Sequence, residues 1–323
     1  MAKRPTRVLC RMALGLPELR EACAALPDLD LVEAATRAEL ERALPTADGL
    51  ILFNSDYDAA LASLIGEQGG RLQWLQFATA GVDNAVRFGV PEGCLLCNAR
   101  NVWAPTVAEH VMALLLGLLR GLPLLERTRE SPDWSRASLA ESLGTLQGAT
   151  LAIVGFGTIG QEVARRARAF GCRVVAVMRS PRALDGIDAA LPMARLHEAL
   201  AQADAVVLSI ALTPETRHLI DRPALAAMPP SAVLINVARG DVVEEAALVE
   251  ALEAGRLAGA GLDVFSVEPL PLESPLRRLP NVILSPHLAG FGDPGTVKRL
   301  VALCRDNIER FTSGRALRNQ IDL

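Results

Sequence analysis

The segment at residues 151–160 constrains the fold of this chain more than any other. It reads LAIVGFGTIG, so four apolar residues run into three glycines spaced G-x-G-x-x-G, and a helix-like stretch follows. This is the order of a strand, a tight turn and a helix N-terminus. We expect Gly155 to permit the turn, Gly157 to let the backbone approach a pyrophosphate, and Gly160 to let helix and strand pack closely. The first N–H groups of the helix would then face the phosphate charge, which predicts dinucleotide binding.

A second strand follows the glycine segment at the distance expected of a βαβ unit, and the alternation then continues to the end of the chain. Strands are predicted at residues 150–154, 173–177, 205–209, 232–236, 259–263 and 282–284. Six strands that begin at a glycine turn predict a complete doubly wound sheet.

The chain also alternates strands and helices upstream of the glycine segment. Strands are predicted at residues 8–10, 49–52, 72–76 and 95–97, and helices at 18–25, 59–66 and 106–119. This alternation predicts a second parallel sheet covered on both faces. A last helix at 294–311 carries apolar residues at helical spacing, and we expect it to pack on the N-terminal unit. The predicted domains are therefore residues 1–100 with 291–323, and residues 101–290.

Composition and charge exclude several classes of protein. The chain has 323 residues, half of them hydrophobic, and a net charge of −4, so nothing indicates binding to nucleic acid or to an acidic membrane. The longest apolar run, at 111–119, is far shorter than a spanning helix requires. Arg11 interrupts the apolar stretch near the N-terminus, so no signal peptide is predicted.

The six cysteines are scattered, and only Cys94 and Cys97 have C-x-x-C spacing. That pair lies in an apolar run, without a second pair or a histidine cluster nearby. We therefore interpret the cysteines as buried free thiols and predict no metal site. Free thiols indicate a reducing, cytoplasmic location.

Three charged residues each follow a predicted strand of the second half: Arg239, Glu268 and His287. Ligands of open α/β sheets bind at the carboxyl ends of strands, so Arg239 could hold a carboxylate through two hydrogen bonds. Glu268 could orient His287 and raise its pKa. The alternatives are a solvated arginine, a loop glutamate and a core histidine. The other three histidines are interpreted as structural or exposed: His110, His197 and His218.

The order of these motifs resembles the D-isomer-specific 2-hydroxyacid dehydrogenases, and the resemblance covers residue 72 to the C-terminus. Its motifs are TAGVD at 79–83, VAEHV at 107–111, GFGTIG at 155–160, NVARG at 236–240, GLDVF at 261–265, EP at 268–269 and SPH at 285–287. The resemblance implies an α/β fold with two doubly wound parallel-sheet domains. A Rossmann cofactor domain would be inserted into a discontinuous flavodoxin-like substrate domain.

The resemblance also implies roles for the residues singled out above. Arg239 would bind the carboxylate and 2-oxo group of the substrate, and the backbone at Ala80 and Gly81 would receive the carboxylate. His287 would be the general acid in reduction and the base in oxidation, paired with Glu268.

The cofactor would lie along the glycine turn and the ends of the neighbouring strands. The resemblance places Thr106, Ala238 and Asp263 near the nicotinamide. The turn residues expected to contact the cofactor are Gly155, Phe156, Gly157, Thr158, Ile159 and Gly160.

The end of the second strand indicates which cofactor is preferred. NAD-specific members carry an acid there for the ribose 2′-OH, but this chain has Met178 followed by Arg179, Ser180 and, two residues on, Arg182. Two guanidiniums and a hydroxyl would attract a 2′-phosphate. We expect NADP(H) to be preferred, with NAD(H) possible. The alternative is that these arginines are solvated loop charges.

Two functions of different classes fit these motifs. The first is a reductase of a small 2-keto acid such as glyoxylate or hydroxypyruvate. The second is a dinucleotide-sensing regulator on the same fold, as in the corepressor relatives of the family, with little turnover. The long apolar helix at 106–119 indicates a homodimer under either interpretation.

Overall fold

The computed structural model describes residues 4–132, 134–140 and 143–322. These residues form two compact units, one running up to Trp103 and resuming at Gly292, and the other spanning Ala104–Phe291. Each unit contains one sheet with helices between its strands, so the predicted α/β class with two parallel-sheet domains is confirmed.

The first unit contains a six-stranded sheet. Its strands are β1 (Thr6–Arg11), β2 (Leu29–Glu33), β3 (Gly49–Leu52), β4 (Trp74–Phe77), β5 (Leu95–Cys97) and β13 (Gln320–Ile321). Its helices are α1 (Leu16–Cys23), α2 (Arg37–Ala43), α3 (Ala59–Gln68), α4 (Asp83–Phe88) and α12 (Pro294–Thr312). The strand order is β13-β5-β4-β3-β1-β2, and every pair is parallel except β13 with β5.

The sequence prediction missed two edge strands of this sheet. Strand β2 is half-buried along most of its length and reads LDLVE, so it lacks the continuous apolar run of a central strand. Strand β13 has only two residues, too few to show a pattern. The central strands β3 and β5 have the predicted bounds.

Helix α12 is held to this sheet by a buried amide. Asn307 is fully buried and donates from Nδ2 to Gln76 Oε1 at 2.7 Å, and its Oδ1 accepts the Arg318 N–H at 2.7 Å. Gln76 is a buried residue of β4, and it also donates to the Phe77 carbonyl at 2.9 Å. These bonds tie the last helix and the segment after it to the strands of the first half of the chain.

The second unit contains a seven-stranded parallel sheet in the order β12-β11-β10-β9-β6-β7-β8. Its strands are β6 (Thr150–Val154), β7 (Arg173–Met178), β8 (Ala189–Pro192), β9 (Ala205–Leu208), β10 (Val233–Asn236), β11 (Gly259–Leu262) and β12 (Val282–Leu284). Its helices are α5 (Ala104–Leu119), α6 (Leu122–Thr128), α7 (Arg136–Leu139), α8 (Thr158–Ala169), α9 (Leu196–Ala201), α10 (Arg222–Ala227) and α11 (Glu245–Glu253). The prediction found six of the strands and missed the edge strand β8, a short AALP segment.

Helix α5 packs against α8 and against β10, β11 and β12, and most of its apolar residues are buried. Two glycines permit the close contact, because a Cβ at Gly117 would lie 2.9 Å from Ile283 Cδ1 and one at Gly261 would lie 2.9 Å from Leu114 Cβ. No single helix in the described part of the chain is long and apolar enough to cross a membrane. Helices α5 and α6 together have the length and composition of a membrane span, but a bend of 54° separates them.

All six cysteines are free thiols. Five are buried and Cys94 is partly exposed. Burial raises the pKa of the Cys94 thiol to about 12, so this thiol stays protonated at neutral pH and does not have the reactivity of a thiolate.

Candidate active site

The loop after β10 carries Arg239 and is shaped by a buried asparagine. Asn236, only 1% exposed, accepts the Ala238 N–H at 3.0 Å and donates to the Arg239 carbonyl at 2.9 Å. The Arg239 guanidinium donates to the Ala238 carbonyl at 2.6 Å. Both backbone groups of Ala238 are therefore engaged inside this loop. The asparagine fixes the direction in which the chain leaves the strand, and with it the position of Arg239.

Gly240 brings this loop against the loop that follows β11. A Cβ at position 240 would lie 1.9 Å from the Phe265 carbonyl carbon and 2.3 Å from the Ser266 nitrogen. Only glycine allows two backbones to approach so closely. The contact places Arg239 next to the segment that continues to Glu268.

Glu268 and His287 form a direct hydrogen-bonded pair. His287 Nδ1 lies 2.7 Å from Glu268 Oε2, and the other carboxylate oxygen accepts the Phe265 N–H at 3.1 Å. Because the carboxylate engages Nδ1, the other ring nitrogen, Nε2, is left as the atom that can exchange a proton. The His287 side chain is half exposed, so a small molecule can reach this ring.

The pair holds its proton on the imidazole. Burial opposes ionisation of Glu268, but hydrogen bonds from His287 and Phe265 outweigh it and leave the pKa of Glu268 below its ordinary value. The hydrogen bond to Glu268 raises the pKa of His287 despite its partial burial. The nearby positive charge of Arg239 lowers the pKa of both groups. At His287 it therefore opposes the effect of Glu268. The three residues that the sequence singled out therefore lie together.

Asp263 anchors the loop that carries His287. Its carboxylate accepts the N–H groups of Leu288 at 2.9 Å and Ala289 at 3.0 Å, and its carbonyl accepts the His287 N–H at 2.8 Å. The Ser285 hydroxyl donates to the same carboxylate at 2.6 Å, and His110 Nε2 lies 2.8 Å from that hydroxyl.

The sequence motifs included Ser285 and Asn236, but the sequence analysis assigned neither residue a role, and it treated His110 only as a structural or exposed residue. The one clue was spacing. His110 lies one helical turn beyond Thr106 on α5, so both residues occupy the same face of the helix. Thr106 is buried in the first turn of that helix.

Two glycines of the 155–160 turn are required by close contacts. Gly155 has a φ of 89°, and a Cβ there would lie 2.7 Å from the Ser209 carbonyl oxygen. A Cβ at Gly160 would lie 2.5 Å from the Gly155 carbonyl oxygen. These contacts draw the start of α8 onto β6 and β9, as the spacing predicts.

The third glycine leaves space for a ligand. A Cβ at Gly157 would meet nothing within 4 Å, and Gly157 is the N-cap of α8 without a side-chain hydrogen bond to the helix. The first N–H groups of a helix have no partners within it, so those of Thr158, Ile159 and Gly160 are available to an anion. This geometry, with Phe156 in the turn, fits the pyrophosphate of a dinucleotide.

Arg179, Ser180 and Arg182 follow the end of β7 at Met178 and are all exposed. Neither arginine forms a salt bridge with a carboxylate anywhere in the ranges that the structure covers. Arg182 lines an open cavity of about 380 Å³ together with residues of β8. The strand end therefore carries two arginines that form no salt bridge with a carboxylate of the described residues. Glu215 is an acidic neighbour of Arg179: hydrogen bonds from Thr213 and the backbone lower the pKa of Glu215, and the charge of Arg179 lowers it further.

The Ala80–Gly81 loop belongs to the other unit and is fixed through its carbonyls. Asn98 Nδ2 donates to the Ala80 carbonyl at 2.7 Å, and the Thr79 hydroxyl donates to the Gly81 carbonyl at 2.7 Å. Among the described residues, no acceptor engages the N–H of Ala80 or Gly81. The loop therefore presents donors suited to an oxyanion.

Replacing Gly240 with alanine tests the close approach of the two loops. The added Cβ must push the Phe265 backbone away, so G240A should lower the free energy of unfolding by about 1–3 kcal/mol in a urea titration. The control is G66A, because a Cβ at Gly66 in α3 meets nothing within 4 Å. Equal stability of G240A and G66A would contradict the packing described here.

Comparison with known proteins places the chain in a family. Residues 112–289 match the model of the D-isomer specific 2-hydroxyacid dehydrogenase, NAD binding domain. A glyoxylate reductase of Pyrococcus furiosus is 36% identical over 263 residues, which are 77% of this chain and 78% of that protein. A D-3-phosphoglycerate dehydrogenase of Mycobacterium tuberculosis is 36% identical over 80% of this chain, but the match spans only 48% of that longer protein.

Two solved structures extend the similarity to the whole chain. A D-isomer specific 2-hydroxyacid dehydrogenase family protein of Aeromonas salmonicida has a TM-score of 0.85 and 32% identity, covering 99% of both chains. An NADPH-dependent glyoxylate/hydroxypyruvate reductase of Sinorhizobium meliloti, in complex with NADP and sulfate, has a TM-score of 0.83 and 29% identity, covering 98% of both. The fold, the glycine turn and these matches agree, and the chain belongs to the D-isomer-specific 2-hydroxyacid dehydrogenase family.

Proposed function

We propose that this protein reduces a small 2-keto acid to the D-2-hydroxy acid with NADPH as the preferred cofactor, and that glyoxylate or hydroxypyruvate is the substrate. The observation that carries the proposal is the Glu268–His287 pair at 2.7 Å with Arg239 beside it. When bound, the nicotinamide supplies or accepts the hydride at C2 of the substrate. The residues of the chain bind the acid, orient it and move the proton.

His287 is the proton donor in this proposal. The raised pKa increases the fraction of protonated imidazole at any given pH, and Nε2 delivers its proton to the 2-oxo oxygen as the alcohol forms. Glu268 holds the ring through Nδ1 and stabilises the imidazolium. A positioned acid of this kind contributes about 10²–10⁴-fold to a rate.

Arg239 and the Ala80–Gly81 loop recognise the acid. The guanidinium offers hydrogen bonds to the carboxylate and the 2-oxo group, and the free N–H groups of the loop offer further donors for the carboxylate. The domain of residues 1–100 and 291–323 is proposed to be the substrate domain. The domain of residues 101–290, which also carries Arg239, is proposed to bind the cofactor. Thr106, Ala238 and Asp263 are proposed to lie beside the nicotinamide.

The preference for NADPH rests on the end of β7. Met178 stands where an NAD-specific enzyme needs a carboxylate, and Arg179 and Arg182 are exposed and form no salt bridge with a carboxylate of the described chain. A 2′-phosphate would gain charge-assisted hydrogen bonds from these guanidiniums and from Ser180. The Sinorhizobium relative described above, which is NADPH-dependent, supports the same choice.

Initial rates test the cofactor and the substrate together. We expect kcat/KM for glyoxylate or hydroxypyruvate to be higher with NADPH than with NADH. The double variant R179A/R182A should lose most of that difference, because it removes the charges that face the phosphate. R165A is the matched control, since Arg165 is an exposed arginine of α8 on the same unit.

Two results would contradict this function. A higher kcat/KM with NADH would overturn the assignment of the Arg179–Arg182 segment. Tight NADPH binding without turnover of glyoxylate, hydroxypyruvate, pyruvate or phenylpyruvate would favour the dinucleotide-sensing regulator.

The pH dependence of the two directions tests His287 as the proton carrier. Reduction requires the protonated imidazole, so its kcat/KM should fall as pH rises through the raised pKa of His287. Oxidation requires the neutral imidazole and should rise over the same range. A reduction rate that stays flat across this range would exclude His287 as the donor.

The protein is also proposed to be a cytoplasmic homodimer. Two large apolar side chains in the chain after α5 support the homodimer: Leu122 and Trp134 are 56% and 53% exposed, and contact with a second copy would remove apolar surface from water. The occupant proposed for this surface is a second copy of the chain.

A further inference from the structure

We propose that His110 is a positioning residue for His287 and that it acts through Ser285 and Asp263. The proposal rests on the proposed function, because it concerns the proton donor of that reaction. The connecting atoms are His110 Nε2, the Ser285 hydroxyl and Asp263 Oδ1, at successive distances of 2.8 and 2.6 Å.

The backbone at His287 needs an anchor. His287 has a φ of 52°, in the left-handed region that residues with a Cβ rarely adopt, so its conformation persists only where the surroundings enforce it. Asp263 supplies this restraint, because it accepts the N–H of His287 through its carbonyl and those of Leu288 and Ala289 through its carboxylate.

Asp263 can hold the loop only while its own charge is satisfied. The side chain is 2% exposed, so water does not solvate the carboxylate. Its hydrogen-bond donors are the two backbone N–H groups and the Ser285 hydroxyl, and His110 Nε2 itself lies 3.7 Å from Oδ1. A buried carboxylate that loses one of its donors is costly, and the loop it holds would relax to find another.

The Ser285 hydroxyl carries a single proton, and its direction is set by its two neighbours. At 2.6 Å from an ionised carboxylate, which only accepts hydrogen bonds, the hydroxyl must donate to Asp263. Its lone pairs then accept from His110, so Nε2 of that ring carries a hydrogen. His110 therefore keeps the Ser285 proton directed at Asp263.

Removing the His110 N–H leaves the Ser285 hydroxyl free to turn away from Asp263. The carboxylate then holds the loop less firmly, and His287 can move relative to Glu268 and the reacting oxygen. The charged groups that face His287 are Glu268, Arg239 and Asp263. A longer distance to Glu268 lowers the pKa of His287.

The test compares H110L with H110Q. Leucine removes the donor and should lower kcat by about 10- to 100-fold with a smaller change in KM, because misplacing a catalytic group costs rate more than binding. The falling limb of the reduction profile should move to lower pH. Glutamine keeps an N–H near the position of Nε2 and should restore much of the rate. H197L is the matched control, because His197 is an exposed histidine of α9 in the same unit.

A second variant makes the test independent of how well H110L folds. S285A breaks the same connection at its centre, so H110L added to S285A should cost far less than H110L alone. Hydrogen exchange of the Leu288 and Ala289 amides, measured without substrate, should be faster in both single variants than in H197L.

The outcomes separate this inference from the proposed function. If the wild-type protein shows no turnover, the proposed function is contradicted. The amide exchange then still tests the connection from His110 through Ser285 to Asp263. Active wild-type protein with unchanged kcat, pH profile and amide exchange in H110L overturns the inference alone. Equal losses in H110L and H110Q, or additive losses with S285A, also overturn it, because they indicate a merely structural role.

Discussion

The parallel register of β10, β11 and β12 is the constraint on which the candidate site depends. Asn236 pairs with Leu262 and Leu262 pairs with Leu284, so the three strands end at the same level of the sheet. The loops that follow them must leave side by side. Arg239, Glu268 and His287 lie on these three loops, and the contact at Gly240 brings the first loop against the second. The chemistry of the site thus follows from strand pairing.

The sequence was most informative where strands are buried on both faces. Strands β9 and β10 were predicted within one residue because their apolar runs are continuous. The edge strands β2, β8 and β13 were missed, since a short or half-exposed strand needs no such run. The glycine turn was predicted in detail, because close contacts leave no alternative to glycine at Gly155 and Gly160.

The candidate site was predicted only in part, for a related reason. Glu268 and His287 lie 19 residues apart and each follows a strand, so topology allowed the pair but left a loop glutamate and a core histidine as alternatives. His110 and Ser285 lie 175 residues apart, on a helix and on a strand end. Their contact depends on how α5 packs on β12, which no local pattern records. The contact between His110 and Ser285 helps to shape the loop that carries His287, and only the tertiary packing of the helix on the strand reveals it.

Direct titration of the histidines is the measurement that tests the Glu268–His287 pair most sharply. The chain has four histidines, so their ring protons can be assigned by NMR with single variants. The account predicts that His287 titrates above the ordinary value of about 6.5 and that E268Q brings this pKa down. A pKa of His287 at or below the ordinary value in the wild-type protein, unchanged in E268Q, would contradict it.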